Sequence, residues 1–172
     1  VISTSGFSTT DYNLWPPFAQ TILVLLMFVG GCSGSTAGSI KCGRILLLLR
    51  SSTRSLLRLS HPRAVRVVKL DGKVVDEETL RTVSSFFLCF FALLGVGCLV
   101  VSLDGYSLTT SFTAALGCLS NVGPGLDLVG PMGNFGLLSG FNKVFLSLLM
   151  RIGRLESFPI LLLFLPSTWR RS

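Results

Sequence analysis

Three long apolar stretches divide the chain. The first runs from about Phe18 to Leu49 and is interrupted by the string GGCSGSTAGSIKCG. The second, at 83–103, has 21 residues and no charge, and the third, at 141–165, carries four charged side chains. At about 1.5 Å per residue, the second stretch makes a helix of about 31 Å, enough to cross the hydrocarbon core of a bilayer. The pattern therefore predicts an all-helical membrane protein.

A shorter apolar segment lies between the second and third stretches. Residues 107–119, SLTTSFTAALGCL, are long enough for a helix but too short and too polar to span a bilayer. The Gly/Pro-containing string SNVGPGL at 120–126 follows at once and cannot continue a helix. A half-helix ending in an irregular turn between two spanning helices is a re-entrant loop. Such backbone is tolerated at membrane depth only where protein buries it or where it lines a water-filled cavity.

Charge sets the expected orientation. Ten of the fifteen Lys and Arg residues lie in 41–81, against four carboxylates there, whereas 104–140 has two Asp and no basic residue. The positive-inside rule places the loop 50–82 and the C-terminus in the cytoplasm, and 104–140 outside. Only 13% of residues are charged, the mean hydropathy is +0.69, and the basic cluster lies between apolar runs. The net charge of +7 therefore indicates membrane insertion and not a nucleic-acid partner.

The cytoplasmic loop contains the string VRVVKLDGKVVDEE, which predicts a small hairpin turning at Asp71-Gly72. Two roles remain open for this loop, anchoring to anionic lipid and docking of a partner. The five cysteines have no CxxC pair, which argues against a disulfide framework or a zinc site and favours small buried apolar residues.

Two turns are candidates for a cation filter. They are STSGFST at 3–9 and SNVGPGL at 120–126, and each is followed by an external loop and then a spanning segment. A filter needs backbone carbonyls that point at the ion, and glycine allows the required φ. We predict that Gly6 and Gly123 occupy those positions and that neighbouring carbonyls come from Thr4, Ser5, Asn121 and Val122. The alternative is that both are ordinary external turns.

The string that interrupts the first apolar stretch is a second candidate functional feature, separate from the filter turns. It is rich in small residues that would break the helix near its middle: Gly30, Gly31, Ser33, Gly34, Ser35, Thr36, Gly38 and Ser39. A helix-packing GxxxG face at Gly34 and Gly38 and a simple kink are alternatives. A phosphate-binding P-loop is discounted, because Lys41 follows Ser39-Ile40 and the GxxxxGK[ST] spacing is absent.

The charged residues of the third apolar stretch are a third candidate functional feature. Ionisable groups in a spanning segment are costly and usually mark an ion pathway. Arg151 and Arg154 are three residues apart and share a helix face, whereas Lys143 is expected to reach the outer interface. A structural role remains open for Arg154, paired with Glu156 or with carbonyls of the broken helix.

These motifs together resemble the Trk/Ktr/HKT superfamily of potassium transporters, in particular the bacterial TrkH-type subunit. The resemblance covers essentially the whole chain. It is carried, in the family's order, by TSGFSTTD (4–11), GGCSGSTAGSIK (30–41), HPRAV (61–65), SNVGPGL (120–126) and GRLESFPILLLF (153–164).

The resemblance implies four helix–pore-loop–helix repeats around a pseudo-fourfold cation pore, of which this chain is a fragment. Residues 1–49 would be the end of the third repeat, with filter turn 3–9 and gate loop 30–41. Residues 83–172 would be the fourth repeat. Its parts would be an outer helix 83–103, a pore helix 107–119, a filter turn 120–125 and an inner helix 141–166. Arg154 matches the family's arginine that faces the gate loop. Two residues depart from the family pattern: Ser39 stands where Gly is usual, and Arg151 where an apolar residue is usual.

The expected function is passive permeation of K⁺, bound by filter carbonyls, with K⁺ as the transported ion and no cofactor in this chain. The resemblance also implies a bacterial inner-membrane location, a homodimer, and a cytoplasmic regulatory subunit that binds NAD or ATP/ADP. A non-conducting membrane scaffold or a degenerate transporter fragment is the alternative. An enzyme is not expected, because His61 is the only histidine and no carboxylate pair faces it.

Overall fold

The computed structural model describes residues 4–32, 38–60, 69–70 and 73–154. These ranges contain the helices α1 (Pro17–Phe28), α2 (Cys42–Ser60), α3 (Glu77–Ser102), α4 (Leu108–Leu119) and α5 (Gly140–Arg154). Strands β1 (Lys69–Leu70) and β2 (Lys73–Val74) pair antiparallel between α2 and α3. Short 3₁₀ turns lie at Tyr12–Leu14, Asp127–Val129 and Phe135–Leu137.

The first apolar stretch forms two helices joined by a loop. Val29 and Ile40 form a parallel bridge, in which the Gly30 N–H donates to the Ile40 carbonyl at 2.9 Å. Residues eleven positions apart can pair in parallel only if the chain leaves α1 and returns beside it. This pairing excludes the simple kink. It also disfavours a GxxxG helix face, because Gly38 is not helical, although Gly34 lies outside the described residues.

Two helix ends differ from the predicted bounds. Helix α2 continues past 49 to Ser60, because beyond residue 49 apolar residues such as Leu56 and Leu57 still alternate with arginines at helical spacing. Helix α3 begins at Glu77 and not at 83. The acidic residues of its first turn, Glu77 and Glu78, favour a helix N-terminus, and Glu77 forms an ion pair with Arg54 of α2.

Helix α3 is the one helix, within the described ranges, that is long and apolar enough to cross a membrane. Its outward face carries Leu88 and Leu99, which are 77% and 71% exposed. Exposed leucines at these spacings are suited to contact with lipid or with further helices. The hairpin prediction is confirmed, because Leu70 pairs with Lys73 across the predicted Asp71-Gly72 turn, which itself lies outside the described residues.

The half-helix α4 lies at the centre of the fold. Nearly all its residues from Thr110 onward are buried, and it packs on both α3 and α5. Gly97 of α3 lets the helices approach closely, since a Cβ there would lie 3.1 Å from the Ala115 Cβ. The main buried cluster also includes Ile40 and Val122, so the helix break and the second turn share one core.

Candidate selectivity filter

The two predicted filter turns share an unusual backbone conformation. Thr4 and Gly6 have φ of +50° and +75°, and Asn121 and Gly123 have φ of +55° and +98°. Ser5 and Val122, which lie between them, keep negative φ. In an extended strand successive carbonyls point to opposite sides, and placing every second residue in the left-handed region turns them towards the same side. Carbonyls aimed in one direction are what a cation filter requires.

The two turns also contact each other. A Cβ placed on Gly6 would lie 3.2 Å from the Val122 carbonyl oxygen. The nearest atom to a Cβ on Gly123 is the Gly6 Cα, at 3.9 Å. Segments far apart in the chain thus present matching backbone to the same small region.

The C-terminal end of α4 is hydrogen-bonded to the second turn. The N–H groups of Val122 and Gly123 both donate to the Gly117 carbonyl, at 3.0 and 3.2 Å. Gly117 has no space for a side chain, because a Cβ would lie 2.8 Å from the Gly123 carbonyl oxygen. The sequence reasoning missed Gly117, although a glycine in a short apolar helix signals a close backbone approach.

Helix α5 holds the same turn from the side. Asn121 Nδ2 donates to the Met150 carbonyl at 3.1 Å. A Cβ on Gly153 would overlap the Leu119 carbonyl oxygen, so α5 packs directly against the base of the turn. Gly153 precedes Arg154, whose side chain is exposed at the end of the described helix.

The other predicted charged positions lie further out. Lys143 Nζ donates to the Gly136 carbonyl at 2.8 Å, near the start of α5. Arg151 is exposed one turn before the described end of that helix. Glu156 lies outside the described residues, so its pairing with Arg154 stays a prediction.

The returning arm of the predicted gate loop, at Gly38, contacts the second turn. Gly30 and Gly38 are buried, and a Cβ on Gly30 would overlap the Gly38 carbonyl oxygen. A Cβ on Gly38 would lie 2.5 Å from the Ser120 carbonyl oxygen and 2.7 Å from the Asn121 Cβ. The predicted gate residues Ser33, Gly34, Ser35 and Thr36 lie outside the described residues, whereas Gly31 is half-buried beside the bridge.

Ser39 fixes the returning arm of this loop. Its φ is +70°, a conformation in which glycine has no Cβ penalty, and its side chain is buried. The hydroxyl lies 2.7 Å from the Met27 carbonyl and 2.6 Å from the Phe28 carbonyl, at the end of α1. The serine therefore adds an anchor that a glycine could not supply.

Hydroxyl groups of α4 hold the outer end of the second turn. Thr113 Oγ1 accepts the Leu126 N–H at 3.0 Å. The Asp127 carboxylate accepts from Thr110 Oγ1 at 2.6 Å and from Ser107 Oγ at 2.8 Å. These two hydrogen bonds lower the pKa of Asp127, the one from Thr110 most, so the carboxylate is held in its ionised form. The sequence showed that the polar residues of SLTTSFT make this segment too polar to span a bilayer. It did not reveal the hydrogen-bond partners of these residues.

A cation could be bound here by main-chain oxygen. Within the described residues no group of three His, Cys, Asp or Glu side chains could hold a metal ion. The carbonyls of the two turns are the oxygen-rich feature of this region, and such ligands suit a weakly held alkali cation in transit.

A short helix followed by a glycine-containing irregular turn, packed against a long apolar helix, is the arrangement typical of a membrane protein of the pore-loop class. The chain belongs to the family of TrkH cation transport proteins, whose family model matches residues 1–171. The resemblance to potassium transporters of this superfamily is thereby confirmed.

Curated relatives match nearly the whole chain. It is 36% identical over 170 residues to the Trk system potassium uptake protein TrkG of Escherichia coli, covering 99% of this chain and 35% of the relative. It is 38% identical over 168 residues to the Trk system potassium uptake protein TrkH of Salmonella typhimurium, covering 98% of this chain and 34% of that protein. The chain thus spans about a third of the length of the curated relatives it matches.

A solved structure has the same fold. The crystal structure of the potassium transporter TrkH from Vibrio parahaemolyticus matches with a TM-score of 0.88 and 38% identity. The match covers 98% of this chain and 36% of that one. The fold prediction, a helical membrane protein with a pore-loop repeat, is confirmed by this match.

Proposed function

We propose that this chain supplies two of the filter turns of a channel-like potassium transporter, and that the remainder of a four-repeat pore comes from additional chain. The observation that carries the proposal is the shared φ pattern at Thr4/Gly6 and Asn121/Gly123 in two turns that touch. K⁺ would pass from carbonyl to carbonyl without a covalent step. Single-glycine turns offer fewer stacked sites than a long filter loop, so softer K⁺/Na⁺ discrimination is expected.

The alternative of a non-conducting scaffold or a degenerate fragment has less support. Left-handed φ at non-glycine residues such as Thr4 and Asn121 costs of order 1 kcal/mol or more. A scaffold gains nothing from that strain, whereas a filter needs it to aim its carbonyls. The hydrogen bonds that Asn121 donates to Met150, and that Val122 and Gly123 donate to Gly117, also support a retained site.

The loop 30–41 is proposed to act as the gate beneath the filter. Its described arms support this role, since Gly38 contacts the base of the second turn and Ser39 ties the loop to α1. Arg154 would oppose a cation there by its charge, because it follows Gly153 at the base of the same turn.

The proposed setting is the bacterial inner membrane, with the loop 50–82 and the C-terminus in the cytoplasm. Exposed leucines on α3 support lipid contact, and the basic helix α2 supports contact with anionic headgroups. A homodimer and a cytoplasmic subunit binding NAD or ATP/ADP are proposed from the resemblance. The relatives are named as members of a Trk system, which supports an assembly of several components.

The proposed function is tested with the full-length parent protein in liposomes. A K⁺ gradient should drive uptake of Rb⁺ into the liposomes. External K⁺ should inhibit this uptake more strongly than external Na⁺ does. Empty liposomes prepared in parallel give the background. Uptake no greater than that background, or uptake that Na⁺ and K⁺ inhibit equally, would contradict the proposal.

The proposed orientation predicts opposite labelling of two loops. A cysteine at Ser52 should react with a membrane-impermeant thiol reagent only from the cytoplasmic side, and one at the exposed Met132 only from outside, because basic residues are retained in the cytoplasm. The five native cysteines must first be replaced by serine in a background that still inserts. Labelling of both sites from the same side refutes this topology.

A further inference from the structure

One side-chain amide joins the segments that follow the two filter turns. Asn13 Nδ2 donates to the Asp127 carbonyl at 3.2 Å, and Asn13 Oδ1 accepts the Asp127 N–H at 2.9 Å. Both main-chain groups of one residue are thus paired with one amide, 114 positions away in the chain. Two bonds in this arrangement fix direction as well as distance.

Asn13 is itself held in place. Its N–H donates to Asp11 Oδ1 at 3.0 Å, and its carbonyl accepts from Gln20 Nε2 at 2.8 Å. Gln20 lies in the first turn of α1, so the amide is positioned by the helix that follows the first filter turn. Gly130 also packs against the Asn13 side chain, because a Cβ on Gly130 would overlap Asn13 Nδ2.

The partner residue is fixed to the pore helix. Asp127 has φ of +59°, a strained conformation for a residue with a side chain, and its carboxylate is bonded to Thr110 and Ser107 of α4. The hydrogen-bond chain therefore runs from α1 through Asn13 and Asp127 to α4. This chain does not pass through the two filter turns. It connects α1, which follows the first turn, to α4, which precedes the second.

We propose that Asn13 is a positioning residue that sets the spacing of the two filter turns. This inference rests on the proposed function. Gly6 and Gly123 are in van der Waals contact, and the two bonds of Asn13 add a directional link between the segments that follow the two turns. Ion discrimination depends on the number and placement of carbonyl oxygens around the ion, so a small shift of one turn against the other changes it.

The test measures K⁺ and Na⁺ competition against Rb⁺ uptake by the full-length protein in liposomes, per inserted molecule. Asn13→Ala removes both bonds, so one turn can shift against the other, and we expect the K⁺/Na⁺ preference to fall roughly fivefold, which corresponds to about 1 kcal/mol of lost discrimination. Asn13→Asp keeps an acceptor for the Asp127 N–H but sets a carboxylate oxygen against the Asp127 carbonyl in place of the donor, so a loss at least as large as that of Asn13→Ala is expected. Its added charge attracts both cations alike and cancels in the ratio.

Asn134→Ala is the matched control. Asn134 is also an external asparagine, but its side chain accepts only a local bond, from the Gly136 N–H at 2.9 Å. This variant should keep the parent preference.

The outcomes separate the two proposals. A selective parent with parent-like preference in both Asn13 variants overturns the positioning role and leaves the proposed function standing. Less inserted protein with an unchanged preference per molecule also overturns it, since Asn13 would then only stabilise the fold. If Asn13→Ala does not insert into the membrane, the K⁺/Na⁺ preference of Asn13→Asp, compared with that of the parent, tests the positioning role instead. A parent without K⁺-preferring uptake overturns the proposed function itself.

Discussion

Replacing Gly123 with serine is expected to lower the K⁺/Na⁺ preference of the full-length protein about tenfold. Gly123 has φ of +98°, outside the region that a residue with a Cβ adopts readily, and a forced conformation costs about 1–3 kcal/mol. A turn that relaxes to avoid this cost must rotate the carbonyl beside it. Each 1.4 kcal/mol lost from K⁺ binding is a factor of ten. The measurement is cation competition against Rb⁺ uptake, normalised to inserted protein.

Gly105→Ser is the control for this variant. Gly105 lies in the connection between α3 and α4 and has φ of +80°, and no atom lies within 4 Å of a Cβ placed there. The same backbone strain is thus introduced away from the filter. Equal selectivity in the parent and in Gly123→Ser would remove Gly123 from the ion path. Equal losses in both serine variants would show that strain acts through folding alone.

The Gly38→Ala variant is expected to lose both K⁺ preference and most K⁺ flux. The new methyl would lie 2.5 Å from the Ser120 carbonyl oxygen and 2.7 Å from the Asn121 Cβ, so the loop or the filter turn must move. The neighbouring atoms are backbone and a Cβ, which have no flexible end to turn aside. Overpacking of this kind costs about 1–3 kcal/mol, enough to displace a turn held by a few hydrogen bonds.

Gly43→Ala provides the comparison at a position five residues further on. No atom lies within 4 Å of a Cβ on Gly43, which is in the first turn of α2. Alanine there should leave flux and selectivity as in the parent and slightly favour the helix. Parent-like selectivity in well-inserted Gly38→Ala would mean that the loop arm does not press on the filter in the conducting protein.

The sequence predicted the features that depend on local chemistry. An uncharged apolar run identified α3, a shorter apolar run with interspersed polar residues identified α4, and glycine in an irregular turn marked Gly6 and Gly123. The hairpin followed from Asp71-Gly72 between β-branched residues. Each of these signals depends on neighbours in the chain, and a single sequence displays them directly.

Features that depend on distant partners were not predictable in this way. Nothing near Asn13 identifies Asp127 as its partner, and an asparagine after an aspartate is first of all a turn residue. Gly153 and Gly117 were not singled out, because a glycine in a helix does not reveal which backbone it approaches. The extent of α2 was missed since its arginines were read as loop, although their spacing suits a helix that is apolar on one face only.

The claim that both turns lie on one ion path is tested most directly by coupling Gly6 to Gly123. Reversal potentials, with K⁺ on one side of a bilayer and Na⁺ on the other, give the permeability ratio of the full-length parent, Gly6→Ser, Gly123→Ser and the double variant. A Cβ on Gly6 would lie 3.2 Å from the Val122 carbonyl oxygen, so the two turns should respond together. The account predicts that each single variant lowers the ratio and that the double variant loses less than the two losses combined, by about 0.5 kcal/mol or more. Fully additive losses, or a Gly6→Ser variant with the parent's ratio, would contradict it.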